Sequence, residues 1–283
     1  MPSVEPVETT SSPLEVSAPP PKLDVRGVSK TFFPYSVNER VALDDVSFTM
    51  DDGDFVTVIG SNGAGKSTLL SVIAGLHKPE KGQVLIDGED VTGWPEPKMA
   101  NRVGRVFQDP MAGTSPELTI EENMAVAISR GSTRGLRWGL GATRRRRFRD
   151  ELSVLGLGLE DRLTVKAAYL SGGQRQALSL VMATFTHPDI LLLDEHTAAL
   201  DPKRAELITE LTEQEVTSSK LTTLMVTHNM AQALRLGNRL LMMHAGRIVL
   251  DLRGEAKAKT TIDDLLAEFE KRAALTDTTL LAE

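Results

Sequence analysis

The sequence predicts an α/β fold that is built on a parallel sheet and interrupted by a helical subdomain. Strand-like and helix-like segments alternate near both ends of the chain, as expected where helices connect parallel strands. Between about residues 109 and 188 this alternation gives way to helices and loops. A glycine-rich loop near residue 60 lies between a strand and a helix, which is typical of a phosphate-binding P-loop. No internal repeat is visible, so we expect one nucleotide domain.

The individual elements follow from short apolar runs that end at turn residues such as Asp51-Asp52-Gly53. Before the helical region, we predict strands at 23–29, 46–50, 55–59, 82–86 and 103–107 and a helix at 66–74. After it, we predict strands at 190–194, 222–226, 239–243 and 247–252, with helices near 204–215 and 230–236.

These elements divide the chain into three parts. Residues 1–22 are rich in proline and serine and are predicted to form a disordered arm. Residues 23–252 form the nucleotide domain, whose helical subdomain at 109–188 includes a basic segment at 130–149. Residues 253–283 are predicted to form a helical extension.

Composition excludes several classes of protein. The chain has 283 residues, a net charge of −7, five histidines without metal-ligand spacing and no cysteine. Disulfides and cysteine-ligated zinc are therefore excluded, and an acidic chain has no general attraction to nucleic acid. No apolar run approaches the ~18–20 residues that cross a bilayer, and the first residues lack the basic start and apolar core of a signal peptide.

The glycine-rich loop is predicted to bind the phosphates of a nucleotide. Its glycines let successive backbone N–H groups face phosphate oxygens, Lys66 supplies charge to the β- and γ-phosphates, and the Ser67 hydroxyl is a ligand for Mg²⁺. The strand before the loop and the apolar helix after it give the motif its expected context. The loop consists of Gly60, Ser61, Asn62, Gly63, Ala64, Gly65, Lys66, Ser67 and Thr68.

Two carboxylates follow the apolar strand at 190–194. Asp194 is predicted to hold Mg²⁺ directly or through water, and Glu195 to polarise the attacking water as the general base. An acidic pair after an apolar strand is common, so this interpretation depends on the P-loop upstream. Together the two motifs predict a nucleotide hydrolase.

Gln108 and His228 each follow a predicted strand. The neutral amide of Gln108 can contact Mg²⁺ or the attacking water, and the imidazole of His228 can hydrogen-bond the γ-phosphate. Taken singly, Gln108 would be a surface residue and His228 a structural one. Their places among the nucleotide motifs favour catalytic roles for both.

Two further features point to the nucleotide. Ser171, Gly172, Gly173 and Gln174 open an apolar helix, and this form presents backbone N–H groups and a hydroxyl to a phosphate. Phe32 follows the first strand and could stack on adenine. Phe33 and Tyr35 are alternatives, and an ordinary core role for Phe32 remains open.

In chain order, the P-loop, Gln108, the Leu170–Gln174 sequence LSGGQ, the acidic pair and His228 resemble the motifs of the ABC transporter ATPases. The resemblance spans about residues 23–252. It implies an ATP-binding α/β core with an antiparallel β portion and a helical subdomain, with ATP and Mg²⁺ as cofactors.

The resemblance also implies that two domains pair head to tail, with ATP between the P-loop of one and Ser171–Gln174 of the other. Asp201 resembles the loop by which one subunit senses the site of its partner. If the helix at Ser171 projects away from the P-loop, its N-terminus needs the phosphate of a different subunit. A homodimer is expected, with pairing to a paralogue left open.

Two departures from the family pattern stand out. His196 follows Glu195 where the family usually has proline, and the sequence assigns it no role. The basic segment includes Arg144, Arg145, Arg146 and Arg147. It is interpreted as a solvated loop and helix start, or as a basic face for anionic headgroups or an acidic partner. Nucleic acid is a weaker alternative, because an aromatic base-stacking platform is missing.

The resemblance therefore implies an ATP-hydrolysing subunit at the cytoplasmic face of a membrane. It would power solute translocation, expected to be import, through separate permease subunits and with a solute-binding protein. The alternatives are a soluble ABC-type ATPase of DNA repair or translation and a non-hydrolysing relative. The chain has no second nucleotide domain, coiled-coil insertion or cysteine, which are the features expected of a repair or translation ATPase. A non-hydrolysing relative conflicts with the filled catalytic positions.

Overall fold

The computed structural model describes residues 19–129 and 141–280, with side chains to residue 272. Most of the predicted arm and residues 130–140 of the basic segment lie outside the described residues. The described strands are β1 Leu23–Phe32, β2 Arg40–Met50, β3 Phe55–Gly60, β4 Lys81–Ile86, β5 Glu89–Asp90, β6 Val103–Val106, β7 Ile190–Asp194, β8 Thr222–Val226, β9 Arg239–His244 and β10 Arg247–Arg253. The described α-helices are α1 Lys66–Ile73, α2 Glu96–Met99, α3 Ile120–Ile128, α4 Ala142–Ser153, α5 Gly172–Thr184, α6 Pro202–Ser219, α7 Met230–Arg235, α8 Gly254–Lys259 and α9 Ile262–Leu280.

The larger sheet has the strand order β10-β9-β3-β8-β7-β6. Its strands are parallel except β10, which pairs antiparallel with β9 at the edge. The inner strands β3, β8 and β7 are almost wholly buried and mostly apolar, as expected for parallel strands covered on both faces. The predicted parallel sheet is confirmed, and the carboxyl ends of its strands meet along one edge.

The smaller sheet is antiparallel, with the order β2-β1-β4-β5, and confirms the expected antiparallel portion. It packs with the larger sheet around one apolar core that includes Leu43, Leu70, Ile86 and Leu192. Strand β2 begins at Arg40, six residues before the start expected at residue 46. The short elements β5 and α2 were not predicted from the sequence.

The helices between β6 and β7 share a separate apolar core in which Phe148 of α4 packs edge-on against Phe185, with ring centroids 6.0 Å apart. Thr119 begins α3 with a capping box, its hydroxyl accepting from the Glu122 backbone N–H and its own N–H donating to the Glu122 carboxylate. This part of the chain is helical, as predicted.

Two of the four consecutive arginines have intramolecular contacts. Arg145 donates to both carboxylate oxygens of Glu121, a residue of α3 that is only 5% exposed, over 2.6 and 2.9 Å. The guanidinium of Arg147 lies over the ring of Phe185, 4.4 Å from its centroid. These contacts attach α4 to the helical core. Arg145 and Arg147 therefore stabilise the fold, in addition to any contact with an external partner.

Lys22, the last residue of the predicted arm, is anchored to the nucleotide domain. Its ammonium pairs with Asp189 at 2.9 Å and with Asp87 at 3.2 Å, and Arg102 also pairs with both of these carboxylates. The four side chains join the start of β1 to the turns before β5 and β7. Within the described part of the chain, no helix combines the length and apolar character needed to span a membrane.

We predict that Phe148→Ala destabilises the protein by about 3–5 kcal/mol, because it removes a fully buried ring from the helical core. Urea unfolding followed by circular dichroism measures the change. Val154→Ala is the matched control on the same segment, since Val154 is 60% exposed, and we expect it to change stability by less than about 0.5 kcal/mol. Equal effects of the two substitutions would contradict the described packing.

A second prediction concerns acid stability. Burial opposes ionisation of Asp189, but the hydrogen bonds and charges of Lys22 and Arg102 outweigh it and hold the pKa of Asp189 below its ordinary 3.8. Ionised Asp189 therefore stabilises the fold above pH 3.8, and that contribution is lost as the pH falls through the lower folded-state value.

We expect Asp189→Asn to flatten the fall in unfolding free energy below about pH 4, as measured by urea unfolding at a series of pH values. Asp52→Asn, at an exposed turn position, is the control and should leave the profile of the parent protein. A parent-like profile for Asp189→Asn would contradict the ion-pair assignment.

Candidate functional site

The P-loop connects the end of β3 to the start of α1. Glycine is required at two of its positions, because Gly63 and Gly65 have φ values of 83° and 100°. A Cβ atom on Gly65 would also lie 2.2 Å from the carbonyl oxygen of Ala42. The loop can therefore curl around a ligand only with the glycines that the sequence supplies.

Lys66 is 6% exposed and donates to the carbonyl oxygens of Gly60 and Ser61, at 2.8 and 3.0 Å. Burial lowers the pKa of its ammonium below the ordinary 10.5, and the charges of Glu195 and Asp194 oppose that shift. The lysine is thus a cation held inside the loop, where triphosphate oxygens would give it stronger acceptors than backbone carbonyls.

A cleft of 480 Å³ lies over the P-loop. The predicted residues that line it are Phe32, Asn62, Gly63, Gly65, Lys66, Ser67, Thr68, Gln108 and Glu195. Gly60, Ser61 and Ala64 belong to the same loop but are not among its lining residues. Of the three candidate aromatic residues, Phe32 lines the cleft, while Phe33 and Tyr35 are 68% and 101% exposed and do not. Phe32 also contacts His77 edge-on, with centroids 5.2 Å apart.

The acidic pair lies where β7 ends, beside the P-loop. The Ser67 hydroxyl is 3.3 Å from one carboxylate oxygen of Asp194, and the Arg105 guanidinium is 3.2 Å from the other. No group of three or more His, Asp or Glu side chains that could hold a metal occurs within residues 19–129 and 141–272. In proteins, Mg²⁺ usually keeps several water or phosphate ligands and binds only one or two carboxylates. The Ser67 hydroxyl and the Asp194 carboxylate therefore fit as its protein ligands.

Glu195 is the meeting point of the predicted catalytic residues. Its carboxylate accepts a hydrogen bond from the Gln108 amide at 3.2 Å and lies 3.7 Å from Nδ1 of His228. Gln108 contacts Glu195 in this arrangement, and its contact with a metal stays a prediction.

A second cleft, of 550 Å³, lies between α6 and α7 and is lined by Glu195, His228 and Thr209, among others. Glu195 thus borders both clefts, whereas His228 lines only the second of the two. The carboxylate therefore stands between the P-loop cleft and a groove that begins at His228.

The structure does not bring the Ser171 motif to the P-loop of the same chain. Ser171 caps α5, with its hydroxyl accepting from the Gln174 N–H at 3.3 Å and its own N–H donating to the Gln174 side chain at 3.2 Å. Ser171, Gly173 and Gln174 line a separate groove of 300 Å³, and the carbon atoms of Arg204 and Leu200 approach Gly173 and Gly172.

Asp201 is likewise remote from the P-loop cleft. It caps α6 by accepting a hydrogen bond from the Arg204 N–H at 3.2 Å, and its other carboxylate oxygen pairs with the Arg204 guanidinium at 3.2 Å. The predicted residues thus fall into two sets, one around the P-loop and one around the start of α5 and α6. In one chain the two sets line different surfaces.

Sequence reasoning missed Arg40 and Arg105. Arg40 lines the P-loop cleft and donates to the Gly63 carbonyl at 3.3 Å, while Arg105 lies two residues before Phe107 on β6, with its guanidinium 4.6 Å from that ring. The signal for Arg105 in the sequence was its position, two residues before Phe107-Gln108. Arg40 gave none, because it lies ahead of the strand start that the apolar pattern predicts.

Comparison with known proteins identifies the family. The family model described as ABC transporter matches residues 43–198. A tyrosine transport ATP-binding protein of Clostridioides difficile is 43% identical over 88% of this chain and 98% of its own length. A methionine import ATP-binding protein of Corynebacterium efficiens is 35% identical over 82% of this chain, which spans 62% of that relative. An aliphatic sulfonates import ATP-binding protein of Mesorhizobium japonicum is 34% identical over 80% of this chain and 77% of its own length.

Solved structures agree with the sequence relatives. A dimeric structure of the ATP-binding cassette MJ0796, in a post-hydrolysis state bound to ADP and Pi, superposes with a TM-score of 0.70 at 30% identity, over 82% of this chain and 98% of that one. The ADP conformation of MJ1267, an ATP-binding cassette of an ABC transporter, gives 0.72 at 27% identity, over 88% and 98%. The chain belongs to the ABC transporter family, as one of its ATP-binding and ATP-hydrolysing subunits.

We predict that Arg40→Ala weakens ATP binding by about 10- to 150-fold, the range expected for one lost hydrogen bond to a charged group. The reason is that Arg40 places a cation at the mouth of the P-loop cleft, beside Gly63. Fluorescence titration with a labelled ATP analogue gives the affinity. Arg247→Ala removes an exposed arginine that pairs with Asp44, and it should bind like the parent. Parent-like affinity of Arg40→Ala would exclude a nucleotide contact.

Proposed function

We propose that two copies of this chain form the ATPase engine of an importer for small solutes, with each ATP held between the P-loop of one copy and Ser171 of the other. The proposal is carried by the division of the predicted residues between two surfaces of one chain. A P-loop and a helix N-terminus that both suit phosphate, yet line separate clefts, can act on one nucleotide when they come from different molecules. The structure of dimeric MJ0796, which is similar over most of this chain, supports pairing.

Within the composite site, each residue of this chain has a proposed task. Lys66 and the P-loop N–H groups hold the β- and γ-phosphates, and Phe32 stacks on the adenine ring. Ser67 and Asp194 would hold Mg²⁺, with Arg105 keeping the second oxygen of Asp194 occupied. When bound, Mg²⁺ would neutralise the charge that develops on the phosphate oxygens.

Glu195 is proposed to take a proton from the attacking water, in reach of Gln108 on one side and His228 on the other. Gln108 would orient the carboxylate and the water. His228 and the partner's Ser171 would stabilise charge on the γ-phosphate. Asp201 of each copy, at the start of α6, would contact the facing copy and report whether its site is filled.

The relatives indicate the setting of this reaction. The tyrosine, methionine and sulfonate proteins named above are transport or import subunits, so we infer import of an amino-acid-like solute. Separate permease subunits at the cytoplasmic face of a membrane would receive the motion of the dimer, and a solute-binding protein would deliver the cargo.

Co-purification with a permease would support this setting; capture on ribosomes or DNA would instead favour the repair or translation alternative.

We predict that Glu195→Gln retains ATP affinity within about threefold but lowers the turnover number by about 10²- to 10⁴-fold, because it removes the general base and keeps the shape of the side chain. Light scattering with ATP should then show a stable dimer. Glu206→Gln is the control, since Glu206 lines the neighbouring cleft but pairs with Arg235 at 2.8 Å. Hydrolysis at the parent rate by Glu195→Gln would disprove the assignment of the base.

A further inference from the structure

The helix α6 is bonded to both turns that carry the catalytic side chains. One turn follows β7 and holds Glu195, and the other follows β8 and holds His228. Each turn reaches a different threonine of α6, and the two threonines, Thr209 and Thr212, are 2% and 0% exposed. Because they are three residues apart, they lie on the same face of the helix, one turn from each other.

The Glu195 turn is held through His196. Glu195 has a φ of 43°, a left-handed conformation that is unfavourable for a residue with a side chain and persists only where its surroundings enforce it. The next residue, His196, is 2% exposed, and its Nε2 lies 3.0 Å from the hydroxyl of Thr212. Thr212 donates its hydroxyl hydrogen to the Ile208 carbonyl at 2.7 Å, which leaves it the acceptor for a hydrogen on Nε2.

The His228 turn is held through Gln232. Thr227, directly before the histidine, donates to the Gln232 side-chain oxygen at 2.7 Å and accepts from the Asn229 N–H at 3.1 Å. The Gln232 amide donates in turn to the Thr209 hydroxyl at 2.8 Å, and Thr209 donates to the Ala205 carbonyl at 2.8 Å. Both threonine hydroxyl hydrogens in this relay have a defined acceptor.

We propose that Thr209 and Thr212 are positioning residues of the ATPase reaction, which fix His228 and Glu195 relative to each other by bonding both turns to one rigid helix. The proposal rests on the catalytic roles proposed above for Glu195 and His228. It gives His196, which stands where the family usually has proline, the task of fastening the turn of the general base. It also links both side chains to Asp201, because that residue caps the same helix.

The geometry explains why these bonds matter for catalysis more than for folding. The carboxylate and the imidazole are 3.7 Å apart, yet they stand on separate turns that follow different strands. A displacement of about 1 Å at a reacting group can lower a rate by about 10²-fold. Loss of either hydroxyl would remove the bond between one turn and α6, while the backbone hydrogen bonds that join the turns to the neighbouring strands remain.

The test uses Thr209→Val and Thr212→Val in the full chain, since valine keeps the shape of threonine and removes the hydroxyl. We expect each to lower the turnover number by about 10- to 100-fold while ATP affinity stays within about twofold, and the corresponding serine variants to recover most of the loss. The control is Thr184→Val, because Thr184 is a buried helical threonine whose hydroxyl donates to the Leu180 and Val181 carbonyls of its own helix. The melting temperature of Thr184→Val gives the loss of stability expected when a threonine loses only its hydrogen bond to a carbonyl of its own helix.

A cycle of double variants assigns each threonine to its partner. If Thr212 acts through Glu195, Thr212→Val should add less than about twofold to the loss in a Glu195→Gln background, measured in single turnovers. Thr209→Val should likewise add little in a His228→Ala background. Multiplicative losses in both cycles, or turnover by the valine variants equal to that of Thr184→Val, would overturn the proposal.

Failure of the proposed function gives a different result. If Glu195 is not the general base, Glu195→Gln alone retains its rate, whatever the threonine variants do. If Glu195 is the base but α6 does not position it, Glu195→Gln loses activity and Thr212→Val does not.

Discussion

The register of four buried parallel strands decides where the catalytic groups lie. Val58 of β3, Val226 of β8 and Asp194 of β7 stand side by side in one row of the sheet, and Val106 of β6 pairs with Leu193 in the row before. The P-loop, His228, Glu195 and Gln108 follow these positions within one to a few residues. A one-residue slip in any strand would turn its side chains to the other face and dismantle the site.

The strand register also explains why the sheet and the helices contribute different groups to the proposed site. In the proposed function, the sheet edge supplies the groups that act on the phosphate, and α6 adds hydrogen bonds that hold the turns after β7 and β8. The start of α5 belongs to a separate apolar core and presents Ser171 to another surface. In the proposed function, a reaction that needs both surfaces would be switched on by association of two molecules rather than by a change within one.

Much of this was predictable because the strongest sequence signals are local. The strands β7 and β8 have the predicted bounds, since each contains a short apolar run that polar residues follow directly. The start of β2 was not predicted, because Asp44 and Asp45 interrupt the apolar pattern ahead of Val46, and Arg40 was overlooked with it. The partnership of His196 with Thr212 depends on tertiary placement, since threonines within α6 give no sign of which turn they will meet.

The central claim, that the ATP site is completed by a second molecule, can be tested directly because the chain contains no cysteine. Single cysteines at Asn62 and at Ser171, placed in separate preparations that are mixed and treated with a short bismaleimide, report contact between the P-loop of one copy and the capped helix of another. We expect a covalent dimer that forms from the mixture, requires ATP and is absent when either variant is treated alone. No cross-linked dimer under any nucleotide condition, with both cysteines shown to be reactive, would contradict it.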